Sequence, residues 1–369
     1  MKQSSTMKLW NTLLSHQLVQ GPEPPETEDN APWYVRTMLG IAGWVGAIFL
    51  LSALFSGFAL VMDSVVAATV MGIAACSLAV VMYRAVKHND FTEQFAFAVS
   101  LAGQSLLIYS AMRGLNLFDS VKDFVYQVRW VALILVALHT VLFLLVPNYL
   151  HRVWSAVIGV GSLAFLSNQY GLFPFTLVLL MAGASVVWLK EFHWARFGEQ
   201  SRALGYALVL VSVAHLLTQN YFWNEGHFWQ EVFGIRALGG EWGEWLSGLL
   251  LGVVLVAVVV VLLQRERLSL SGRVGIAAIG LAIVFGLIGA QAPGITIGVT
   301  LVLLGFAHGN NVITGIGLVT VVAFVSQFYY LLHLTLLYKS ILLFFSGLGL
   351  LLVRQVLHRL WPRVEQSDA

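Results

Sequence analysis

Residues 246–264 read LSGLLLGVVLVAVVVVLLQ, a run of nineteen residues without a single charge. An uncharged apolar run of this length is what an α-helix needs to cross the hydrocarbon core of a bilayer. Similar apolar blocks recur along the chain, separated by short polar breaks. The sequence therefore predicts an all-α fold, a bundle of helices embedded in a membrane.

The composition of the whole chain agrees with this reading. Of its 369 residues, 59% are hydrophobic and only 10% are charged, whereas soluble domains are nearer a quarter charged. The net charge is +2 and the basic residues are spread among the loops, so no nucleic-acid partner is predicted. The single cysteine, Cys76, lies in an apolar run and excludes both an internal disulfide and a cysteine-based metal site.

Twelve transmembrane spans are predicted, and the chain offers them at regular intervals. They are 36–60, 64–84, 93–112, 129–146, 152–168, 172–189, 201–219, 246–264, 273–289, 293–307, 311–330 and 335–354. The tenth is short and opens with Ala292-Pro293-Gly294, so a broken or re-entrant segment is the alternative there.

The basic residues orient these spans. With the N-terminus inside, fifteen of the twenty Lys and Arg residues fall in cytoplasmic segments, four fall outside, and Lys339 lies within a span. Because cytoplasmic loops carry the excess of positive charge in membrane proteins, both termini are predicted to be cytoplasmic. The bacterial inner membrane is the predicted location.

Both ends of the chain are predicted to be tails around a transmembrane domain of residues 33–358. Residues 1–32 are polar and acidic before the first span, which argues against a cleavable signal peptide. Within them, residues 7–19 place leucines and a tryptophan on one helical face, which fits either an interfacial helix or a weakly ordered tail. Residues 359–369 form the second tail.

Two segments suggest an internal repeat. Residues 164–170 (AFLSNQY) end the fifth span, and residues 323–329 (AFVSQFY) end the eleventh. Six-helix halves of the same orientation, 33–196 and 197–358, would place them at matching positions, and parallel repeats of this kind occur in transporters. Chance similarity between apolar helices is the rival explanation.

Few polar side chains lie deep in the predicted spans. Lys339 is the one charged group clearly within a span, where it either contacts an anion or extends its long stem to the headgroups. His139, His215 and Gln104 are either members of a polar site or partners in interhelical hydrogen bonds. No Asp or Glu lies deep, which argues against a carboxylate-driven ion pump.

The outer loop of residues 220–245 combines aromatic and acidic residues. Glu241, Trp242 and Glu244 form a candidate outer site for a sugar or a cationic group. An aromatic belt lying on the headgroups is the simpler interpretation. Phosphate-loop, nucleophile-elbow and zinc-protease motifs are absent from the sequence, and neither a metal nor a cofactor is predicted.

The C-terminal segment 329–340 (YYLLHLTLLYKS) resembles the closing helix of bacterial membrane proteins grouped as domain of unknown function 4401, and of the related family 2157. The opening residues 32–36 (PWYVR), followed by Gly40 and the pair at 43–44, resemble that family's first span. The resemblance covers about residues 30 to 358. It implies an inner-membrane protein without an assigned activity.

The resemblance also selects positions near the C-terminus. It marks Tyr330, Thr335, Lys339 and Ser340 as candidate site residues without giving any of them a chemical role. Relatives often carry an acid two residues before the threonine, where this chain has His333, and this difference weakens a mechanism based on an acid–lysine pair.

Three functions are compatible with the sequence. The first is a transporter or permease-like protein for an unidentified small molecule or lipid, and it predicts a cavity lined by Lys339, His139, His215 or Gln104. The second is a non-transporting subunit of an envelope complex, with another membrane protein as its partner. The third is an enzyme acting on lipid or lipid-linked sugar at the outer face, in a groove holding Glu241 or Glu244.

Overall fold

The computed structural model is helical throughout the residues that it describes, which are 2–15, 33–55, 64–85, 90–116, 121–218, 238, 240–290, 292–331 and single positions between 337 and 355. These residues form twelve α-helices and one 3₁₀ helix, Glu191–Phe197, and contain no strand. The α-helices are α1 Lys2–Ser15, α2 Trp33–Phe55, α3 Val65–Ala85, α4 Asp90–Gly114, α5 Val121–Leu145, α6 Tyr149–Gln169, α7 Phe173–Leu189, α8 Gly198–Leu217, α9 Gly240–Arg265, α10 Arg273–Gly289, α11 Pro293–Ala307 and α12 Asn311–Leu331.

Helices α2 to α12 follow the first eleven predicted spans in order. The largest differences are at two starts, because α5 begins at Val121 and α9 begins at Gly240, inside a segment that the sequence analysis assigned to a loop. The predicted twelfth span, 335–354, lies mostly outside the described residues. The N-terminal segment contains helix α1, and a location at a membrane interface stays a prediction.

Six helices are long and apolar enough to cross a membrane, and five shorter apolar helices accompany them. Large apolar side chains stand exposed on them: Phe49 is 72% exposed and Val319 is 70% exposed. The prediction of an all-α, membrane-capable fold is therefore confirmed. Helix α11 is a single unbroken helix of 15 residues, which corresponds to about 22 Å of length.

The described chain divides into two compact units, residues 1–107 and residues 108–369. This division falls elsewhere than the predicted six-helix halves, and the internal repeat stays a prediction.

In the first unit, α3 meets α4 along a stripe of small residues. The buried residues of α3 recur every three or four positions, as expected for one face of a helix; they are Ala68, Gly72, Cys76, Ala79 and Tyr83. A Cβ added at Gly103 of α4 would lie 2.8 Å from the sulfur of Cys76. The two backbones therefore approach closely, and Cys76 acts as a small buried residue.

The first unit also joins α2 to α4. Gly43 lets α2 approach the backbone of α4, since a Cβ there would lie 3.3 Å from the backbone nitrogen of Phe95. The indole nitrogen of Trp44 donates to the side-chain oxygen of Gln94 at 3.1 Å. Gly43 and Trp44 thus position α2, the first apolar helix, against α4.

The second unit has its core between five helices. Helix α5 packs on α6, α6 on α8, α8 on α7, α7 on α9, α9 on α10 and α11, and α11 on α12. The core draws buried side chains from α7, α8, α9, α11 and α12, among them Met181, Leu216, Leu255, Ile297 and Ile313. The chain turns sharply between these helices at Gly171 and Gly309, which have positive φ angles of 76° and 61°.

Glycines set the distance between helices in this unit. The Cβ of an alanine at Gly252 in α9 would lie 2.8 Å from the Cα of Gly286 in α10. Likewise, Gly298 in α11 lies against Gly317 in α12. A Cβ added at Gly317 would lie 2.9 Å from the carbonyl oxygen of Gly298. Glycines of facing helices therefore allow close helix packing within this unit.

Substitution of Gly252 by alanine is expected to destabilise the protein by about 1–3 kcal/mol, because the new methyl group overlaps the backbone of α10. Gly280→Ala is the matched control, since nothing lies within 4 Å of a Cβ there. Both changes raise helix propensity equally, so their difference reports the overlap. Unfolding by sodium dodecyl sulfate titration in mixed micelles measures it; equal stability of both variants would contradict the close approach.

Candidate functional site

A groove of about 730 Å³ runs between α5, α6 and α8 of the second unit. Its volume falls in the range of pockets that hold small molecules. On α6 the lining extends from Val157 to Asn168, a distance of about 16 Å along the helix and half of the hydrocarbon core of a bilayer. We refer to it below as the α5–α6–α8 groove.

The two ends of the groove differ in polarity. At one end the walls are apolar and are formed by residues such as Leu135, Val157 and Val211. Toward the other end, where α6 and α8 finish, the lining includes Asn168, His215 and Thr218. The groove is therefore apolar along most of its length and polar at one end.

Helix α7 orients the side chain of Asn168. The hydroxyl of Thr176 donates to the side-chain oxygen of Asn168 at 2.7 Å and lies 2.6 Å from the hydroxyl of Ser167. With its oxygen held in this way, Asn168 has its amide Nδ2 as a remaining donor, and no atom in the described part of the chain accepts from it. Asn168 is buried but lines the groove, so this donor can serve a molecule bound there.

Two more polar groups line the same groove. The imidazole of His215 lines the groove from α8, and the hydroxyl of Thr218 donates to the carbonyl oxygen of His215 at 2.7 Å. Nearer the middle of α6, Ser162 is buried and lines the groove. Its hydroxyl has no hydrogen-bond partner among the described residues.

A positive charge stands next to the polar end. Arg129 follows Val128, which lines the groove, and its guanidinium contacts the last turn of α6. It donates to the side-chain and backbone oxygens of Gln169, each at 3.4 Å, and lies 5.5 Å from the ring centroid of Tyr170. No carboxylate of the described residues pairs with Arg129. This end of the groove therefore favours a negatively charged or strongly polar group.

Of the predicted intramembrane site residues, the groove contains His215. His139 lies on α5 but is 1% exposed and does not line the groove; its Nδ1 has no partner in the described part of the structure. Gln104 lies in the first unit, where its amide donates to the hydroxyl of Ser100 at 3.0 Å. Within the second unit, His139 and His215 thus do not line one cavity, and Gln104 belongs to the first unit.

The remaining predicted residues lie near the C-terminus and at the start of α9. Thr335, Lys339 and His333 fall outside the described residues. Tyr330 is described as helical only, and Ser340 is helical and exposed.

The outer-loop candidates belong to α9 rather than to a loop, since Glu241, Trp242 and Glu244 follow its first residue, Gly240. Their expected place in a loop was therefore wrong, because α9 starts earlier, and Gly243 leaves room for the carbonyl oxygen of Leu238 beside its first turn. Trp242 is 83% exposed.

Sequence reasoning missed most of the groove. Ser162, Asn168, Thr218 and Arg129 were not among the candidate residues. The available signal was the polar run of residues 167–169 at the end of an apolar span, which the sequence analysis used only as a repeat marker. Which side of α6 lines a groove depends on the packing of α5, α7 and α8, and that packing is not visible in the periodicity of one helix.

Six membrane-capable helices and a groove among apolar helices define a multi-pass α-helical membrane protein. The chain belongs to the family described as Domain of unknown function (DUF4401), whose model matches residues 32–360. The resemblance to domain of unknown function 4401 is confirmed by this match, while the bacterial origin and the relation to family 2157 stay predictions. No curated protein and no solved structure matches the chain.

Replacement of Thr176 by valine is expected to destabilise the protein by about 1–3 kcal/mol, because a buried hydroxyl that serves both Ser167 and Asn168 is lost. Thr140→Val is the control, since Thr140 is exposed and its hydroxyl bonds only within its own helix, to the carbonyl of Val136. The free energy of unfolding from detergent titration compares the two. A Thr176→Val protein as stable as the Thr140→Val protein would disprove this role.

Proposed function

We propose that this protein is a permease-like membrane protein that binds an amphipathic molecule in the α5–α6–α8 groove. The observation that carries the proposal is the combination of a long apolar channel with the polar side chains of Ser162, Asn168 and His215. An acyl or other apolar chain would lie along the walls near Leu135 and Val157. Its polar head would meet Asn168, with the charge of Arg129 close by.

The proposed topology places this polar end at the outer face of the inner membrane. It consists of twelve spans with both termini in the cytoplasm, and it rests on the asymmetry of the Lys and Arg residues. Helix α6 then begins at the cytoplasmic side with Tyr149 and ends at the outer side with Gln169. An amphipathic ligand would thus enter with its head toward the outer leaflet.

The three functions considered from the sequence make different predictions about a groove of this kind. A non-transporting subunit predicts a tightly packed bundle, so the groove favours the permease-like alternative. The described lining of the groove holds no carboxylate, so the lipid-modifying enzyme keeps only the support that the sequence gives it. The family resemblance alone supports a role for the candidate residues near the C-terminus, which are Tyr330, His333, Thr335, Lys339 and Ser340.

Filling the groove tests ligand binding directly. Gly161 lines the groove, and a Cβ there would meet nothing within 4 Å, so Gly161→Trp is expected to fold and to occupy the ligand's place. The control is Gly280→Trp, which adds the same side chain at an equally open position on α10. Protein purified in mild detergent is extracted with organic solvent, and the retained amphiphiles are quantified by mass spectrometry.

We expect an amphiphile in molar amounts with the wild-type and Gly280→Trp proteins and at least about tenfold less with Gly161→Trp, since a ligand loses most of its contact area there. Equal retention by both variants would place the amphiphile elsewhere on the protein. An empty wild-type protein would remove the basis of the proposal.

Labelling of introduced cysteines tests the topology. In a Cys76→Ala background, Trp242→Cys at the start of α9 is expected to react with a membrane-impermeant maleimide in intact cells, because that exposed position faces outward in the proposed topology. Gln355→Cys, also exposed, is expected to react only after the cells are permeabilised. The opposite pattern would invert the topology, and labelling of both from outside would change the number of spans.

A further inference from the structure

A second cavity, of about 610 Å³, lies at the opposite ends of α6 and α8 from the polar end of the groove. It is bounded by the first turns of both helices and by the 3₁₀ helix Glu191–Phe197. Its charged lining comprises Arg152, Glu191, Arg196, Glu199 and Arg202. In contrast to the groove, this cavity is walled by arginines and carboxylates.

Two ion pairs hold the walls of this cavity in place. Arg152 donates to Glu199 at 2.7 Å, and its Nε donates to the carbonyl oxygen of Val146 at 2.9 Å. Arg202 pairs with Glu191 at 2.5 Å. The side chain of Arg152 is only 13% exposed, so it is fixed in position before any ligand arrives.

The two ion pairs do not neutralise all of the arginine charge, and they do not use all of the guanidinium N–H groups. Arg196 lies 5.9 Å from the ring centroid of Phe197 and pairs with no carboxylate in the described part of the chain. Since two glutamates face three arginines, the lining carries one net positive charge. Arg202 uses only its Nε and Arg152 uses its Nε and one terminal nitrogen, so terminal guanidinium N–H groups of both residues have no acceptor among the described residues.

The start of α8 adds to this potential. Its N-cap residue, Phe197, provides no side-chain hydrogen bond, and Gly198 and Gln200 of the first turn line the cavity. The 3₁₀ helix Glu191–Phe197 runs directly into α8 and can supply acceptors to its first N–H groups, so the contribution of this helix start is its dipole, which favours an anion there. The start of α8 and the arginines of the cavity thus both favour a negatively charged ligand.

We propose that this cavity binds a phosphate group. A tetrahedral anion would accept hydrogen bonds from Arg196 and from the spare N–H groups of Arg202 and Arg152, because planar guanidinium groups match the geometry of phosphate oxygens. The group belongs either to a water-soluble phosphate compound or to the head of a phospholipid. The cavity is separate from the α5–α6–α8 groove, so each proposal stands or fails without the other.

Two probes distinguish the sources of the phosphate. Inorganic phosphate is titrated into the detergent-solubilised full-length protein and followed by calorimetry. Separately, the protein is reconstituted into nanodiscs of phosphatidylcholine with phosphatidylglycerol, and retained phosphatidylglycerol is counted by native mass spectrometry. Binding of the inorganic ion points to a soluble compound, whereas retention of the lipid alone points to a headgroup.

Arg196→Gln is the test variant, because it removes the unpaired charge and leaves both ion pairs intact. Arg273→Gln is its control, since Arg273 is an exposed arginine at the start of another helix and does not line the cavity. Whichever probe binds the wild-type protein, we expect Arg196→Gln to weaken binding about tenfold or more and Arg273→Gln to leave it unchanged. Absence of binding for both probes, or equal loss in the two variants, would overturn the proposal.

Discussion

Helices surrounded by lipid associate through close contact of their backbones, because apolar side chains gain little by leaving lipid for one another. This constraint explains why small residues lie at the helix crossings described above. Gly103 admits Cys76 of the neighbouring helix, and Gly252 faces Gly286 at the crossing of α9 and α10. The bulky residues are free to face outward instead, and Val319 and Phe49 do so.

The same surroundings govern the polar side chains. Several hydroxyls within the described helices bond to the carbonyl four residues earlier in the chain, which satisfies them without a partner from another helix. This pattern holds for Ser105, Thr140, Ser185, Ser212, Thr300 and Thr320. Ser162 departs from it, and Asn168 offers a donor that no described atom accepts. The buried hydroxyl of Thr296 in α11 also has no partner in the described structure, but Thr296 does not line the groove. Ser162 and Asn168 do line it, and the proposed ligand would use their hydrogen-bonding capacity.

The sequence predicted the helices far better than the site. Charged and proline-containing breaks mark the ends of apolar runs, so the bounds 273–289 and 293–307 agree with α10 and α11. The start of α9 was missed because Trp242 and its acidic neighbours read as an interfacial loop, although they also suit a first helical turn. His215 was selected as a candidate only because it is a histidine within an apolar run. The contacts of Asn168 with Thr176 could not be foreseen, since they depend on how a turn at Gly171 returns the chain.

The turn at Gly171 also holds the chain that follows the groove. The backbone N–H of Leu238 donates to the carbonyl oxygen of Gly171 at 2.8 Å, while Thr218 is tied to the end of α8. Leu238 lies two residues before Gly240, the first residue of α9, so this bond links the approach to α9 with the turn between α6 and α7. A substitution that alters the turn at Gly171 would therefore act at two places at once, the polar end of the groove and the start of α9.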